Sequence, residues 1–278
     1  MEGSKLAAAI LGEVRRAVVG KDEVLAKVLL AILAGGHILL EDIPGVGKTT
    51  MALAFSKALS LRYNRVQFTP DVMPSDITGF TLYNKEAGRM EYQPGAVLCN
   101  LFLADELNRA TSRTQSALLE AMEEGQVTVD GVSHPVPQPF LVIATQNPVE
   151  TEGTYPLPEA QLDRFLMQIS MGYPSKEEEL TILDHFGSGN PLTDLKAVCN
   201  KKDLSSLKTA ASAIFVHPLL KDYLVNLVQA TRNDSQILDG VSPRGSLALY
   251  RAAKAYALVK GRDYVIPEDI KTLAVPVL

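Results

Sequence analysis

The chain has 278 residues, of which 46% are hydrophobic and 21% charged, and its formal net charge at pH 7 is −5. These are the proportions of an ordinary globular protein, and the length predicts one large domain or two smaller ones. The negative balance excludes a general electrostatic attraction to nucleic acid or to acidic membranes, but it is compatible with a local basic channel.

The cysteines and the apolar stretches limit the class of protein further. Cys99 and Cys199 lie far apart without ligand-like spacing, so they predict two buried thiols rather than a disulfide framework or a zinc site. The longest apolar stretch, Val28 to Leu40, is interrupted by two glycines and a histidine and is too short for a membrane span. The start of the chain has no signal-peptide character. We therefore expect a cytoplasmic protein.

Two helices are predicted at the start of the chain, from Leu6 to Arg16 and from Lys21 to Ala34, where two glycines stop the second. The break between them is formed by Val18, Val19 and Gly20. An apolar turn with exposed backbone can stack on adenine and hydrogen-bond to it. The same residues serve equally well as a helix–helix turn, and the sequence leaves both interpretations open.

The most informative stretch is a phosphate-binding loop between a short apolar strand, residues 37–40, and a helix from Met51 to Leu59. The strand aims the loop, and the helix offers its free N–H groups and its dipole to phosphates. Glycines allow close approach of the backbone, the lysine supplies a charge to the β- and γ-oxygens, and the threonine hydroxyl can ligate Mg²⁺. We predict that ATP is bound by Pro44, Gly45, Val46, Gly47, Lys48, Thr49 and Thr50.

One residue of the loop departs from the usual pattern, which has glycine where this chain has Asp42. A side chain is tolerable there if the backbone angles are ordinary, because the glycines nearest the phosphates remain. The alternative is a glycine-rich turn before a helix, with Lys48 as a surface charge. The acidic strand end farther along the chain favours the phosphate loop.

The segment after the loop helix contains a strand, Arg65 to Thr69, an irregular stretch, residues 71–79, and a hairpin that pairs Phe80–Tyr83 with Met90–Tyr92. The hairpin interrupts an αβ pattern, and such insertions often carry binding residues. A second hairpin, Gln126 to Val136, follows a helix from Thr114 to Glu124.

Polar side chains follow two further apolar strands. The strand that begins at Leu101 ends in Asp105 and Glu106, which predicts a Mg²⁺ ligand beside Thr49 and a residue that polarises the attacking water. The strand Phe140 to Thr145 is followed by Asn147, a candidate sensor of the γ-phosphate or of that water. An asparagine before proline is also a common turn former, which is the alternative.

Two arginines are candidates for catalysis. Arg164 lies in a predicted helix, Glu159 to Phe165, and its planar guanidinium suits a transferring phosphoryl group, although a surface ion pair with its neighbour Asp163 is the alternative. Arg244 begins a helix capped by Ser242, where the helix dipole disfavours a cation, so we expect an anionic partner for it.

The chain after residue 172 has no strand pattern and reads as helical, with helices predicted over 176–186, 204–213, 218–233, 243–258 and from 267 onward. It stops soon after the last of these begins, and we expect the natural protein to continue beyond Leu278.

With these residues identified, the chain resembles the MoxR family of AAA+ ATPases over essentially its whole length. The resemblance rests on residues 44–49, 105–110, 114–124, 144–148, 159–165 and 242–244. It implies an α/β fold with a three-layer αβα core, residues 1–172, that carries β-hairpin insertions, followed by a small all-helical lid, residues 173–278.

The resemblance also implies a mechanism and partners. ATP would be hydrolysed to ADP with Mg²⁺, Glu106 would activate water, Arg164 would act as an arginine finger on a neighbour's ATP in a homo-oligomeric, hexameric ring, and Arg244 would be the second sensor, in its own subunit or in the next. Partners would be proteins with von Willebrand factor A domains, and clients would be complexes that need assembly or metal-cofactor insertion. The alternatives are a nucleic-acid motor, less expected from the hairpin residues, and a magnesium-chelatase-like subunit.

Overall fold

The computed structural model describes residues 2–41, 43, 45–147, 153–187 and 189–278. Its helices are α1 Glu2–Arg15, α2 Asp22–Ala34, α3 Lys48–Ala58, α4 Pro74–Thr78, α5 Ser112–Glu124, α6 Glu159–Leu162, α7 Lys176–Gly187, α8 Lys201–Ala213, α9 Pro218–Asn233, α10 Pro243–Val259 and α11 Pro267–Val277. Its strands are β1 His37–Glu41, β2 Tyr63–Gln67, β3 Gly79–Asn84, β4 Arg89–Pro94, β5 Leu101–Asp105, β6 Gln126–Val129, β7 Val132–Pro135, β8 Leu141–Gln146 and β9 Phe165–Ile169.

A parallel sheet forms the centre of the fold, with strand order β2-β5-β8-β1-β9. Parallel strands are connected by crossovers that place helices on both faces, and so the strands other than the edge strand β2 are largely buried and apolar. All five residues of β5 are buried. The carboxyl ends of the strands meet at one edge, where ligands bind in sheets of this type.

The two faces of the sheet belong to two hydrophobic clusters. Leu101 and Leu103 point into a cluster with α1, α2 and α3, whereas Phe102 and Ala104 point into a second cluster with α5. This alternation follows from the two-residue period of a strand. The first cluster continues into α8 and α10, so the helices of the carboxyl-terminal part pack on the same core as α1 and α2. The three-layer αβα core with a helical lid is therefore confirmed.

Most predicted elements are confirmed with small shifts of their ends, including both hairpins. Two predictions are wrong. The stretch predicted as irregular, residues 71–79, contains the short helix α4. Phe165, placed at the end of a helix, begins the edge strand β9, and α6 stops at Leu162. A buried parallel strand is a short apolar run without alternation, and such a run cannot be told from a buried helical segment by its period. The strand predicted over Arg65 to Thr69 lies two residues earlier, as β2.

The two cysteines are buried free thiols, as predicted, and burial raises the pKa of Cys99 to about 12 and that of Cys199 to about 11. Among the residues that the structure describes, no helix is both long enough and apolar enough to cross a membrane.

Candidate functional site

The phosphate-binding loop joins the end of β1 to the start of α3. Gly45 and Gly47 adopt φ values of 87° and 93°, a region that L-residues rarely occupy, while the space around both is open. The loop therefore needs glycine for its conformation rather than for room. Lys48 is the buried first residue of α3, followed by Thr49 and Thr50, so the free N–H groups of a helix face the loop.

Two residues of the predicted phosphate loop, Asp42 and Pro44, lie outside the described residues. Val46 is half-buried against the hydrophobic core. A cleft of about 930 Å³ runs beside β9 and α10 and is not lined by any of the predicted loop residues.

Asp105 ends β5 as a buried carboxylate held by two partners. The Thr145 hydroxyl donates a hydrogen bond to Oδ1 at 2.7 Å. The Arg65 guanidinium donates to Oδ2 from Nε at 3.2 Å and from Nη2 at 2.7 Å. Thr145 also accepts a hydrogen bond from the backbone N–H of Glu106 at 2.9 Å, so this threonine fixes both acids. Sequence reasoning assigned no role to Thr145 or Arg65.

Glu106 follows the strand in a left-handed conformation, with φ of 55°. An L-residue adopts this conformation at a cost of about 1–2 kcal/mol, and the turn is fixed by its surroundings. Buried Gln115 donates its side-chain amide to the carbonyls of Leu107 and Ala110 in this turn. The Glu106 carboxylate pairs with Arg109, Oε2 to Nη1 at 2.9 Å. One oxygen of this carboxylate is thus occupied by a cation from the same turn.

Asn147 follows β8, the strand that lies between β1 and β5 in the sheet. Its backbone carbonyl accepts a long hydrogen bond, 3.5 Å, from the Asn108 side chain. β1, β8 and β5 run parallel, so their carboxyl ends lie at the same edge of the sheet. Asn147 therefore lies at the same edge as the phosphate loop and the two acids.

The predicted Mg²⁺ ligands are oxygen donors, a hydroxyl from Thr49 and a carboxylate from Asp105. Mg²⁺ prefers oxygen, keeps several waters and is commonly held by one or two carboxylates together with substrate phosphates. Among the described residues no group of three or more histidine, cysteine or acidic side chains forms a metal cage. The donor set therefore fits an ion bound mainly by nucleotide and water, at the Thr49 and Asp105 oxygens.

The turn between α1 and α2 meets the start of the helical part. Val18 is buried, and Gly20 lies against the Glu178 side chain of α7, where a Cβ atom would approach to 2.1 Å. Lys21 donates from Nζ to the carbonyls of Gly172 and Tyr173 at 3.2 and 3.1 Å. The segment is a helix–helix turn at the junction of the core and the helical part. Its predicted role toward adenine stays a prediction for Val18, Val19 and Gly20.

The two candidate arginines lie at the opposite, amino edge of the sheet. Arg164 directly precedes β9, whose first residue is level with His37 at the start of β1. Its Nη2 lies 3.1 Å from Oε2 of Glu123, and Nη2 of Arg244 lies 2.7 Å from Oε1 of the same carboxylate. The expected anionic partner of Arg244 is therefore confirmed as Glu123. Arg164 is paired with this glutamate rather than with Asp163.

Comparisons with known proteins agree with this geometry. Residues 37–167 match the model of the ATPase family associated with various cellular activities (AAA), and residues 229–278 match the AAA lid domain. The chain is 52% identical to the uncharacterized protein YeaC of Bacillus subtilis, with 94% of this chain and 82% of the relative covered. It is 46% identical to the chaperone MoxR1 of Mycobacterium tuberculosis, with 93% and 70% covered.

A crystal structure from Cytophaga hutchinsonii superposes on the whole chain with a TM-score of 0.93. The two sequences are 41% identical, and the match covers 100% of this chain and 87% of that one.

Proposed function

The chain belongs to the MoxR family of AAA+ ATPases, and we propose that it hydrolyses ATP to ADP and phosphate, with Mg²⁺, to remodel a client protein complex. The observation that carries this proposal is the meeting of three strand ends at one edge. β1 leads into the phosphate loop, β5 ends in Asp105 and Glu106, and β8 between them leads to Asn147. The phosphate loop, the two acids and the candidate sensor Asn147 thus lie at one edge of the sheet.

In the proposed reaction each side chain has a separate role. Lys48 and the loop N–H groups hold the phosphates, and Asn147 orients the attacking water. Glu106 takes the proton of that water as it attacks the γ-phosphorus, which requires its carboxylate to leave Arg109. When bound at Thr49 and Asp105, Mg²⁺ would supply positive charge to the β- and γ-oxygens.

The arginines act between protomers in this proposal. Five-residue strands such as β1 separate the two edges by roughly 13 Å, at about 3.3 Å per residue. Arg164 and Arg244 therefore belong to an edge remote from their own phosphate loop, which supports action on a neighbour's ATP in a ring. The same position favours action in the next subunit for Arg244 as well.

We extend the proposal to a chaperone role, because a relative with 46% identity is named a chaperone. A protein with a von Willebrand factor A domain would be the partner, and assembly or metal-cofactor insertion would be the outcome for the client. Nucleotide would lie between a core of residues 1–172 and a lid of residues 173–278, with adenine at Val18, Val19 and Gly20.

A nucleic-acid motor receives little support from the first hairpin. Of its basic and aromatic residues, Arg89 pairs with Glu91 at 3.0 Å. The Tyr92 ring stacks on His134 of the second hairpin at 3.6 Å between centroids, and its hydroxyl donates to the carbonyl of Thr78. Tyr83, near the hairpin tip, and Phe80 remain as exposed aromatic side chains, and Lys85 is exposed at the turn. Two aromatic side chains and one lysine are a small surface for single-stranded nucleic acid, whose binding sites combine a positively charged groove with stacking platforms.

The proposal is tested by steady-state ATP turnover with Mg²⁺ for the parent, Lys48→Ala and Glu106→Gln, with binding of a fluorescent ATP analogue measured in parallel. We expect Lys48→Ala to lose binding and turnover together. Glu106→Gln should keep binding and lose about 10²–10⁴ in turnover, the share of a general base. Parental turnover in Glu106→Gln would rule out the catalytic assignment.

Action between protomers is tested by mixing two inactive variants, Lys48→Ala and Arg164→Ala. Each interface needs Lys48 from one protomer and Arg164 from the next, so random mixing in equal amounts should restore about a quarter of the interfaces. No recovery, in a mixture that still co-assembles by light scattering, would contradict the shared site.

A further inference from the structure

We infer that Glu123 is a positioning residue that joins Arg164 of the core to Arg244 of the helical part and directs both toward one anion site. The inference rests on the proposed function for the identity of the anion, the γ-phosphate of a neighbouring protomer. The link between Arg164 and Arg244 through Glu123 rests on contacts within this chain.

Two charged side chains of this cluster lie at helix ends where the helix dipole is unfavourable for them. Glu123 and Glu124 occupy the last turn of α5, where the helix dipole disfavours anions and no basic residue compensates. Arg244 occupies the first turn of α10, where the dipole disfavours a cation. Each misplaced charge is relieved by the other, since Glu123 and Arg244 are 2.7 Å apart.

The Glu123 carboxylate contacts each arginine through a different oxygen. Oε1 faces Arg244 and Oε2 faces Arg164, so one carboxylate sets the separation of two guanidinium groups. A second link lies beside it: the Ser242 hydroxyl, the cap of α10, lies 2.9 Å from both oxygens of Asp163. Residues 163–164 therefore contact residues 242–244 at two adjacent points.

The ion pairs with Glu123 leave positive charge and N–H donors of the arginines available. A cleft of about 340 Å³ beside the cluster is lined by three arginines, Arg164, Arg244 and Arg251, against two acids, Glu123 and Asp163. The buried Arg164 Nε has no hydrogen-bond partner among the residues that the structure describes. Because guanidinium offers several N–H donors, each arginine can keep Glu123 and still bind a phosphate.

The experiment compares Glu123→Gln and Glu123→Asp with Glu124→Gln, a matched control at an exposed glutamate one residue away. Glu123→Gln should lower kcat for ATP about ten- to a hundredfold, the loss that misplacing a reacting group by roughly 1 Å produces. Its KM and its binding of a fluorescent ATP analogue should stay parental, because the phosphate loop that binds ATP is unchanged and the arginines are proposed to act on charge that develops in the transition state. Glu123→Asp should recover part of kcat, and Glu124→Gln should match the parent.

Two further measurements keep the inference falsifiable. Amide hydrogen exchange at residues 244–247 should become faster in Glu123→Gln and stay parental in Glu124→Gln. Glu123→Gln should slow Arg244→Ala by a smaller factor than it slows the parent, because only Arg164 then remains for Glu123 to position.

Failure of the inference differs from failure of the proposed function. Parental kcat and parental exchange in Glu123→Gln would overturn the inference, as would equal losses in Glu124→Gln. If the parent itself does not hydrolyse ATP, the proposed function fails, and amide exchange alone decides whether Glu123 joins the two arginines.

Discussion

The two edges of the parallel sheet differ in how their charges are balanced. At the carboxyl edge each of the two candidate catalytic acids has its own arginine within the protomer, since Asp105 pairs with Arg65 and Glu106 pairs with Arg109. At the amino edge two arginines share Glu123. Two arginines thus balance two acids in the first set of ion pairs, whereas two arginines share one acid in the second.

In the proposed mechanism this difference separates two tasks. A base must exchange its cation for a water molecule, so its pairing has to be breakable, and partly exposed ion pairs are worth only about 0–1 kcal/mol. A pair of arginines that meets a highly charged phosphate must be held against mutual repulsion, which the shared carboxylate does. The predictions below test this contrast.

The largest effect is expected from Arg164→Ala. Loss of a group that stabilises transition-state charge should lower kcat about 10³–10⁵-fold, while a fluorescent ATP analogue still binds. Arg164→Lys should recover little, because an ammonium cannot reproduce the planar fork. Turnover per protomer should rise with protein concentration in the parent and stay flat in Arg164→Ala. A parental rate in Arg164→Ala would remove the amino edge from catalysis.

The next prediction concerns Arg244, through mixtures of inactive variants. Arg244→Ala mixed with Lys48→Ala should recover activity, because the defects lie on opposite sides of an interface. Arg244→Ala mixed with Arg164→Ala should not, because both defects lie on the same side. ATPase assays of equimolar mixtures measure both. The reverse pattern would mean that Arg244 serves the nucleotide of its own subunit.

Much of the carboxyl edge could be predicted because its signals are local. Gly45, Gly47 and Lys48 are adjacent in sequence, and Asp105 ends an apolar run. Arg109 had a weak signal, since a cation three residues after Glu106 is within reach in a helical turn. No local sequence signal pointed to Arg65, because its approach to Asp105 depends on the pairing of β2 with β5.

The amino edge could be predicted only in part. The position of Arg244 at a helix start indicated a partner, and the partner exists, but helix geometry alone could not say which acid it was. Glu123 is brought to it by a long-range contact between the last turn of α5 and the first turn of α10, which no periodicity records. The strand β9 that carries Arg164 to this edge was missed for a related reason, because a short apolar run has no diagnostic period.

A smaller effect is expected from His37, which lines the arginine cleft. Its Nδ1 accepts from the N–H of Val142 at 3.0 Å, and its Nε2 lies 3.2 Å from the carbonyl of Met122, which fits the neutral ring. Burial lowers the pKa of His37 to about 4 from 6.5. The folded state therefore binds fewer protons than the unfolded state between these values, and stability falls as pH falls through that window.

The loss attributable to His37 should reach about 3 kcal/mol below pH 4, at 1.36 kcal/mol per pKa unit. Urea midpoints at pH 7 and pH 5 should differ less in His37→Gln than in the parent, because glutamine does not titrate. His185→Gln, in the exposed helix α7, is the matched control and should keep the parental difference. An unchanged pH dependence in His37→Gln would mean that other groups cause the acid sensitivity.

The smallest effect is expected at the carboxyl edge, from Arg109→Ala. Removing the cation that lies 2.9 Å from Glu106 frees this carboxylate for water, so turnover at saturating ATP should rise about two- to fivefold, in keeping with a partly exposed ion pair. KM should change little, because Lys48 and its loop are untouched. Arg113→Ala, an exposed arginine at the start of α5, is the control and should match the parent. A fall in kcat confined to Arg109→Ala would mean that the pairing assists the base, and both edges would then hold their catalytic charges in the same way.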